Sequence, residues 1–152
     1  MIDTETDARL LAQPIGFWSA QTHRAVAAHV RGKFAELDVT QPLWWVLSHT
    51  EAAGGMDRDA LAAKLRDITA DDSTIPYAVE EARSRGWLVQ SDAGRLTLTG
   101  AGRAAHARIG EVAGSVRGEL HKGVSDEDYL LVVKTLRRII ANAGGEAVYP
   151  ER

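Results

Sequence analysis

Apolar residues recur at spacings of three and four along the first quarter of the chain, and this pattern predicts an amphipathic helix over residues 6–37. The stripe consists of Leu11, Ile15, Trp18, Thr22, Val26, Val30, Phe34 and Leu37. Pro14 is expected to kink this helix or to start it, because proline fits only the first turn of a helix without disrupting it. Such a long helix is a candidate dimerisation element, and a plain core helix is the simpler alternative.

Capping residues and turns divide the next stretch into short helices. Thr40 is expected to cap a second helix, with Pro42 in its first turn, where the missing N–H costs nothing. Asp57 is expected to cap a third helix over residues 58–67. A fourth helix follows, with Pro76 again in its first turn. Its cap is one of three neighbouring residues: Asp71, Asp72 or Ser73.

Gly86 is expected to end that fourth helix, and alternating apolar and polar residues follow it. Residues 87–91 and 95–99 flank Asp92-Ala93-Gly94, which is typical of a β-hairpin. Thr99 is expected to cap a fifth helix over residues 101–121. The sequence thus predicts a mainly α fold with a small β-hairpin: a helix-turn-helix followed by a wing.

A last helix is predicted after Ser125, which forms a capping-box pattern with Asp128. Its inward-facing residues are expected to be Tyr129, Leu130, Val133, Leu136, Ile139 and Ile140. Residues 145–152 are expected to form a loose tail.

The composition is that of a globular protein without a membrane span or cysteine chemistry. At 152 residues, with 45% hydrophobic and 26% charged residues, the chain is expected to form one globular domain over residues 1–152. It has no apolar run long enough for a membrane span. The absence of cysteine excludes disulfides and thiolate chemistry, and a cytoplasmic location is expected. The formal charge of −3 is not typical of a nucleic-acid-binding protein.

The order of these elements over residues 10–143 resembles the MarR family of bacterial transcription regulators. The matching segments are residues 40–47 (TQPLWWVL), 60–62 (ALA), 73–75 (STI), 85–89 (RGWLV), Leu98-Thr99 with Gly102, and 125–128 (SDED). The resemblance implies a homodimer formed by the terminal helices, residues 6–37 and 101–144, around a winged lobe over residues 40–100. It also implies a repressor that binds double-stranded DNA and is released by a small ligand.

The resemblance places the DNA-reading residues at the start of the fourth helix, because the second helix of a helix-turn-helix enters the major groove with its N-terminal end. These residues are Ser73, Thr74, Pro76, Tyr77 and Ala78. Ser73 and Thr74 are equally explained as helix caps. In the wing, Arg95 is the candidate for a groove contact, although so short a wing is more often structural. Arg83 and Arg85 are expected to match the charge of the helix C-terminus.

The charges of this region oppose DNA binding. Residues 57–103 contain seven basic and eight acidic side chains. Tyr77 and Glu81 are expected to face outward, where basic residues are common in the family. The alternative function is therefore a winged-helix protein that has lost DNA binding and serves as a protein-interaction or small-molecule-binding module.

The candidate ligand-binding residues are aromatic and polar, which suits a small aromatic or anionic effector. They are Phe17, Trp18, Gln21, Trp45 and His49. Trp44 and Trp45 are adjacent and cannot both point into one helix interface, so Trp45 is a candidate for a pocket or for an interface. The five histidines form no metal-binding spacing, and we find no catalytic motif, so no metal, no cofactor and no enzymatic activity are predicted.

Overall fold

A computed structural model describes residues 4–69 and 71–147. Within them the elements follow in the order α1 (Thr4–Leu11), α2 (Ile15–Ala35), α3 (Gln41–Ala52), β1 (Met56–Asp57), α4 (Arg58–Leu65), a 3-10 turn (Arg66–Ile68), α5 (Thr74–Ser84), β2 (Leu88–Gln90), β3 (Arg95–Leu98), α6 (Gly100–Leu120) and α7 (Asp126–Asn142). The chain forms two compact units that divide between Val116 and Arg117. The fold is mainly helical with a small sheet, as predicted.

Pro14 separates the first predicted helix into two. It occupies the N-cap position of α2 with extended backbone angles, φ −64° and ψ 131°. The missing N–H of proline cannot continue the hydrogen-bond ladder of α1, so the chain stops and restarts. The prediction of one helix over residues 6–37 is therefore wrong, whereas the role of Pro14 as a helix start is confirmed.

The apolar stripe of α2 is buried only towards its C-terminal end. Phe34 is buried in the core, and Val30 packs against it half-buried. Leu11, Ile15 and Trp18 at the other end of the stripe are exposed. The C-terminal half thus serves as a core helix, and the N-terminal half presents apolar surface that this part of the chain leaves uncovered.

Four predicted helix caps are confirmed. The hydroxyl of Thr40 accepts a hydrogen bond from the backbone N–H of Leu43 at 3.3 Å. The Asp57 carboxylate accepts hydrogen bonds from the backbone N–H groups of residues 59 and 60 at 2.9 and 3.2 Å. The hydroxyls of Thr99 and Ser125 accept hydrogen bonds from the backbone N–H groups three residues later in the chain, at 3.0 and 3.1 Å. Each cap satisfies backbone donors that the first turn of a helix leaves unpaired.

The hydrophobic core lies in the first unit, where α2, α3, α4, α5 and α6 pack with the sheet. Its most buried side chains are Leu43, Val46, Leu47, Leu61, Leu65, Val79, Leu96 and Ile109. Burying one such side chain stabilises a fold by about 1.5–3 kcal/mol. This core fixes α4 and α5 relative to each other and to the hairpin.

The sheet has three antiparallel strands in the order β1-β3-β2. The predicted hairpin is confirmed, with Leu88 opposite Leu98 and Gln90 opposite Leu96. Strand β1 was not predicted, because two residues are too short to show an alternating pattern. Gly86 ends α5 before the hairpin, with φ at 71° in the left-handed region that glycine adopts without strain.

Helix α7 in the second unit presents more apolar surface than predicted. Val133, Leu136 and Ile139 are half-buried. The prediction that Tyr129, Leu130 and Ile140 also face inward is wrong, because all three are exposed. Residues 145–147 form no regular secondary structure, and the rest of the predicted tail, residues 148–152, lies outside the described residues.

Candidate nucleic-acid interface

Helices α4 and α5 form a helix-turn-helix, joined by the 3-10 turn and packed against each other and against α3. Ile75, Val79 and Ala82 lie on the buried edge of α5, as predicted. The opposite edge faces solvent and begins with Ser73, at the N-cap position. This exposed edge is the surface that would meet a DNA groove.

Asp71 organises the start of α5. Its Oδ1 accepts hydrogen bonds from the backbone N–H of Ser73 at 2.9 Å and from the Ser73 hydroxyl at 2.5 Å. It also accepts the hydroxyl of Thr74 at 3.2 Å. The bonds from Ser73, and then that from Thr74, lower the pKa of the Asp71 carboxyl below its ordinary value. Asp71 is therefore, of the three residues expected to cap this helix, the one whose side chain bonds the start of α5. The hydroxyl groups of Ser73 and Thr74 both donate to it.

Tyr77 is the most prominent side chain of this edge, with 74% of its surface exposed. Pro76 beside it is half-buried. Ala78 is only 2% exposed and belongs to the core, so the expectation that it lies on the DNA-reading edge is wrong. Tyr77 offers a ring and a hydroxyl to a partner, whereas Ser73 and Thr74 offer oxygen lone pairs.

The wing is a tight turn over residues 91–94. The backbone N–H groups of Gly94 and Ser91 bond the carbonyls of Ser91 and Arg95, each at 2.9 Å. Arg95 begins β3, and its Nη2 donates a hydrogen bond to the carbonyl oxygen of Gly54 at 3.1 Å. The arginine predicted to enter a groove is thus exposed but held against the turn before β1.

Glu80 lies on α5 between two arginines. Its Oε1 is 2.6 Å from Nη1 of Arg58, the first residue of α4. Both of its carboxylate oxygens lie 3.2 Å from Nη1 of Arg83, one turn further along α5. The hydrogen bond from Arg58 is the main cause of a lowered pKa for the Glu80 carboxyl, and the positive charge of Arg83 adds to it.

Glu81 is directed towards Arg85 rather than fully outward. Its side chain is 21% exposed, and its Oε1 lies 2.7 Å from Nη2 of Arg85. The same Nη2 is 3.5 Å from the carboxylate of Asp38, and the guanidinium lies 5.0 Å from the ring centre of Trp87. The expectation for Glu81 was therefore wrong. Arg83 lies in the last turn of α5 and Arg85 is its C-cap, as expected for charges that match the helix C-terminus, and both also pair with carboxylates.

Two further arginines, one in the lobe and one in the first turn of α6, also pair with acids. Nε of Arg66 lies 3.7 Å from Asp72, and Nε of Arg103 lies 3.3 Å from Glu51. Among the described residues between positions 58 and 103, five arginines thus share their charge with carboxylates. Sequence reasoning found the charge balance but not the partners, although the Glu80–Arg83 spacing of three residues on one helix was a visible signal.

A cavity of about 390 Å³ lies in the same unit, where the end of α2 meets the start of α3 and the turn before α5. Its lining consists of Arg31, Phe34, Ala35, Val39, Thr40, Gln41, Pro42, Trp45, Ile68, Thr69 and Thr74. These side chains are mostly apolar, with one charged group, Arg31. A second groove on the exposed edge of α5 shares Thr40, Pro42 and Thr74 with the cavity.

Trp45 is the one residue of the predicted ligand set that lines this cavity. Trp44 turns the other way and stacks on His106 with ring centres 4.8 Å apart, so the two tryptophans diverge as expected. Phe17 and Trp18 form an exposed edge-to-face pair at 5.6 Å. Gln21 accepts a hydrogen bond from Arg24, and His49 is half-buried on α3. Sequence reasoning missed Arg31 and Phe34 as cavity residues.

Within the described part of the chain, we find no group of three His, Asp or Glu side chains that could hold a metal ion. Among those same residues, no helix combines the length and the apolar character needed to cross a membrane.

The arrangement of helices and wing is similar to that of several solved structures. MarR from E. coli in its reduced form matches with a TM-score of 0.66 and 18% identity, over 84% of this chain and 94% of that chain. BpsR from Bordetella bronchiseptica matches with a TM-score of 0.69 and 18% identity, over 84% and 95%. A MarR transcriptional regulator from Methanosarcina mazei matches with a TM-score of 0.64 and 17% identity, over 85% and 88%.

The chain has the fold of the MarR regulators. No family model matches the sequence, and no curated protein matches it. The likeness therefore lies in the three-dimensional arrangement. DNA binding by BpsR is regulated by 6-hydroxynicotinic acid.

Proposed function

We propose that this protein belongs with the MarR regulators in function as well as in fold, and is a DNA-binding transcription repressor. The observation that carries the proposal is the exposed edge of α5, where Ser73, Thr74 and Tyr77 stand on a helix-turn-helix beside a wing. In such proteins the second helix enters the major groove and its first residues reach the bases. The proposal includes no catalytic step and places the protein in the cytoplasm.

The regulator acts as a homodimer in this proposal, with residues 1–152 as one functional domain. Its support is the apolar surface left uncovered near both ends of the described chain. The exposed residues are Leu10, Leu11, Ile15, Phe17 and Trp18 towards one end, and Tyr129, Leu130, Leu131, Val132 and Ile140 towards the other. Apolar surface of this extent favours a partner. A two-fold dimer would read a pseudo-palindromic site with half-sites about 34 Å apart.

The cavity beside Trp45 is the proposed effector site. Its apolar walls suit a small aromatic ring, and Arg31 suits an anionic group on that ring. Thr74, the first residue of α5, forms part of its wall. A ligand that fits better when α5 is displaced from its DNA-binding position would therefore lower the affinity for DNA.

DNA titration tests the proposal. The protein is mixed with the DNA that flanks its own gene and with a scrambled fragment of equal length, in about 50 mM and about 200 mM salt. We expect tighter binding to the flanking DNA, weakened by salt. Tyr77→Ala should reduce the preference for that DNA, whereas Val89→Ala, an exposed position of β2, serves as the matched control. Absence of binding in low salt contradicts the proposal.

A second candidate function is a winged-helix module that no longer binds DNA and instead binds a protein or a small molecule. The pairing of Arg58, Arg66, Arg83, Arg85 and Arg103 with carboxylates favours it, because phosphate contacts need cationic side chains. In that case the protein binds neither DNA fragment, and a ligand still binds the cavity.

A further inference from the structure

One carboxylate occupies the place between two arginines at the edge of the proposed DNA surface. Glu80 contacts Arg58 at 2.6 Å and Arg83 at 3.2 Å. We propose that Glu80 is a specificity-determining residue that acts as an internal substitute for a DNA phosphate. It holds both guanidinium groups until a matching DNA site displaces it. This inference rests on the proposed DNA-binding function.

The position of the cluster supports this role. Glu80 lies three residues after Tyr77, so the two side chains are neighbours on the exposed edge of α5. Arg58 begins α4, the first helix of the helix-turn-helix, which in such motifs crosses the DNA backbone. The side chains of Glu80 and Arg83 are 52% and 39% exposed, so a phosphate can reach this cluster from solvent.

A carboxylate and a phosphate bind a guanidinium through the same charge-assisted hydrogen bonds. Because the ion pairs are exposed to water, each stabilises the fold little and can be exchanged. Non-specific DNA meets two guanidinium groups that are already bonded to a carboxylate, so the cluster offers it one net positive charge instead of two and the affinity is lower. A specific site adds base contacts from residues such as Tyr77, which offset the loss of the internal ion pairs. Glu80 thus lowers the affinity for DNA in general and raises the ratio of specific to non-specific affinity.

The neighbouring acid is held differently and supplies a control. Glu81 pairs with Arg85, but that arginine also lies near the carboxylate of Asp38 and over the ring of Trp87. Neutralising Glu81 leaves Arg85 with two other partners. Glu80→Gln and Glu81→Gln therefore remove the same charge one residue apart, and only the first frees arginines for phosphate.

The test compares the wild type, Glu80→Gln and Glu81→Gln against flanking and scrambled DNA over a salt series. For Glu80→Gln we expect affinity for scrambled DNA to rise on the order of tenfold, and the salt slope to steepen by about 1.8, which is about 0.9 for each of two new phosphate contacts. The ratio of specific to non-specific affinity should fall. Glu81→Gln should produce a smaller gain with an unchanged slope.

A double variant shows whether Arg58 is responsible. Adding Arg58→Gln to Glu80→Gln should cancel about half of the gain in the salt slope, because it removes one of the two arginines that Glu80→Gln frees. Equal effects of Glu80→Gln and Glu81→Gln overturn the role of Glu80, since net charge alone then explains them. Binding by the wild type with no gain in Glu80→Gln also overturns it. If neither protein binds DNA in low salt, the proposed function itself fails, and this role fails with it.

Discussion

Gly102 lies directly against the backbone carbonyl of Trp87, so closely that a Cβ on residue 102 would be 2.0 Å from that oxygen. The same carbonyl accepts a hydrogen bond from the backbone N–H of Thr99 at 3.0 Å. The first turn of α6 is thereby seated on the start of the hairpin. Only glycine permits this approach, which joins the wing to the helix that follows it.

Gly102→Ala should destabilise the protein by about 1–3 kcal/mol, because main chain must move to admit the methyl group. Gly114→Ala on the same helix is the control: a Cβ there meets nothing within 4 Å. That change should stabilise the helix by about 0.5–1 kcal/mol through helix propensity. Thermal unfolding of both variants measures the effects, and equal shifts of the two melting temperatures would contradict the close approach.

The Asp71 network should make stability depend on pH in the acid range. The pKa of Asp71 is lowered in the folded protein, chiefly by the hydrogen bond from the Ser73 hydroxyl. Its contribution is therefore present above the ordinary pKa of 3.8 and is lost as the pH falls through the lower folded value. Asp71→Asn should melt at a lower temperature than the wild type near neutral pH, and the difference should shrink as the solution is acidified. A difference in melting temperature between the two proteins that stays constant across this pH range would rule out the effect.

The apolar surface of α7 should hold the dimer together. Leu131 is 65% exposed in the chain. Leu131→Asp should leave the secondary structure intact and produce a monomer, because a charge would be buried at the interface without a partner. Analytical ultracentrifugation measures the mass, and circular dichroism the helix content. Ala63→Asp, at an exposed position of α4, is the control and should remain dimeric. A dimeric Leu131→Asp protein would place the interface elsewhere.

Arg31 should select anionic ligands for the cavity. With 6-hydroxynicotinic acid as the probe, Arg31→Gln should weaken binding about tenfold, because a charge-assisted hydrogen bond contributes about 1.5–3 kcal/mol. The neutral amide of the same compound should bind both proteins alike. Arg24→Gln on the same helix is the control, since Arg24 bonds Gln21 and is not part of the cavity lining. Calorimetric titration measures each affinity, and equal losses for acid and amide would argue against a charge contact.

Local chemistry made several elements predictable. Thr40, Asp57, Thr99 and Ser125 cap helices in the structure as their sequence positions indicated, because a cap depends on residues three positions away. Strand β1 was missed since its two residues pair with Arg95 and Leu96, about forty positions along the chain. Pairing over that distance has no local pattern.

The candidate site was predictable only in outline. The exposure of Tyr77 follows from its place opposite Ile75 and Val79 on α5. The contact between Arg58 and Glu80 joins residues 22 positions apart on different helices. The cavity likewise needs side chains from α2, α3 and the turn before α5. Neither could be found without the packing of those helices.

The sequence by itself determined the order of helices, their caps and the hairpin, because these depend on side chains that act on their own backbone within about one turn. It also determined that the winged lobe carries slightly more acid than base. The tertiary structure decided which charges meet. By packing α4 against α5 it brought Arg58 to Glu80, which already lies one turn from Arg83 on its own helix, since ion pairs form wherever folding places opposite charges within about 4 Å.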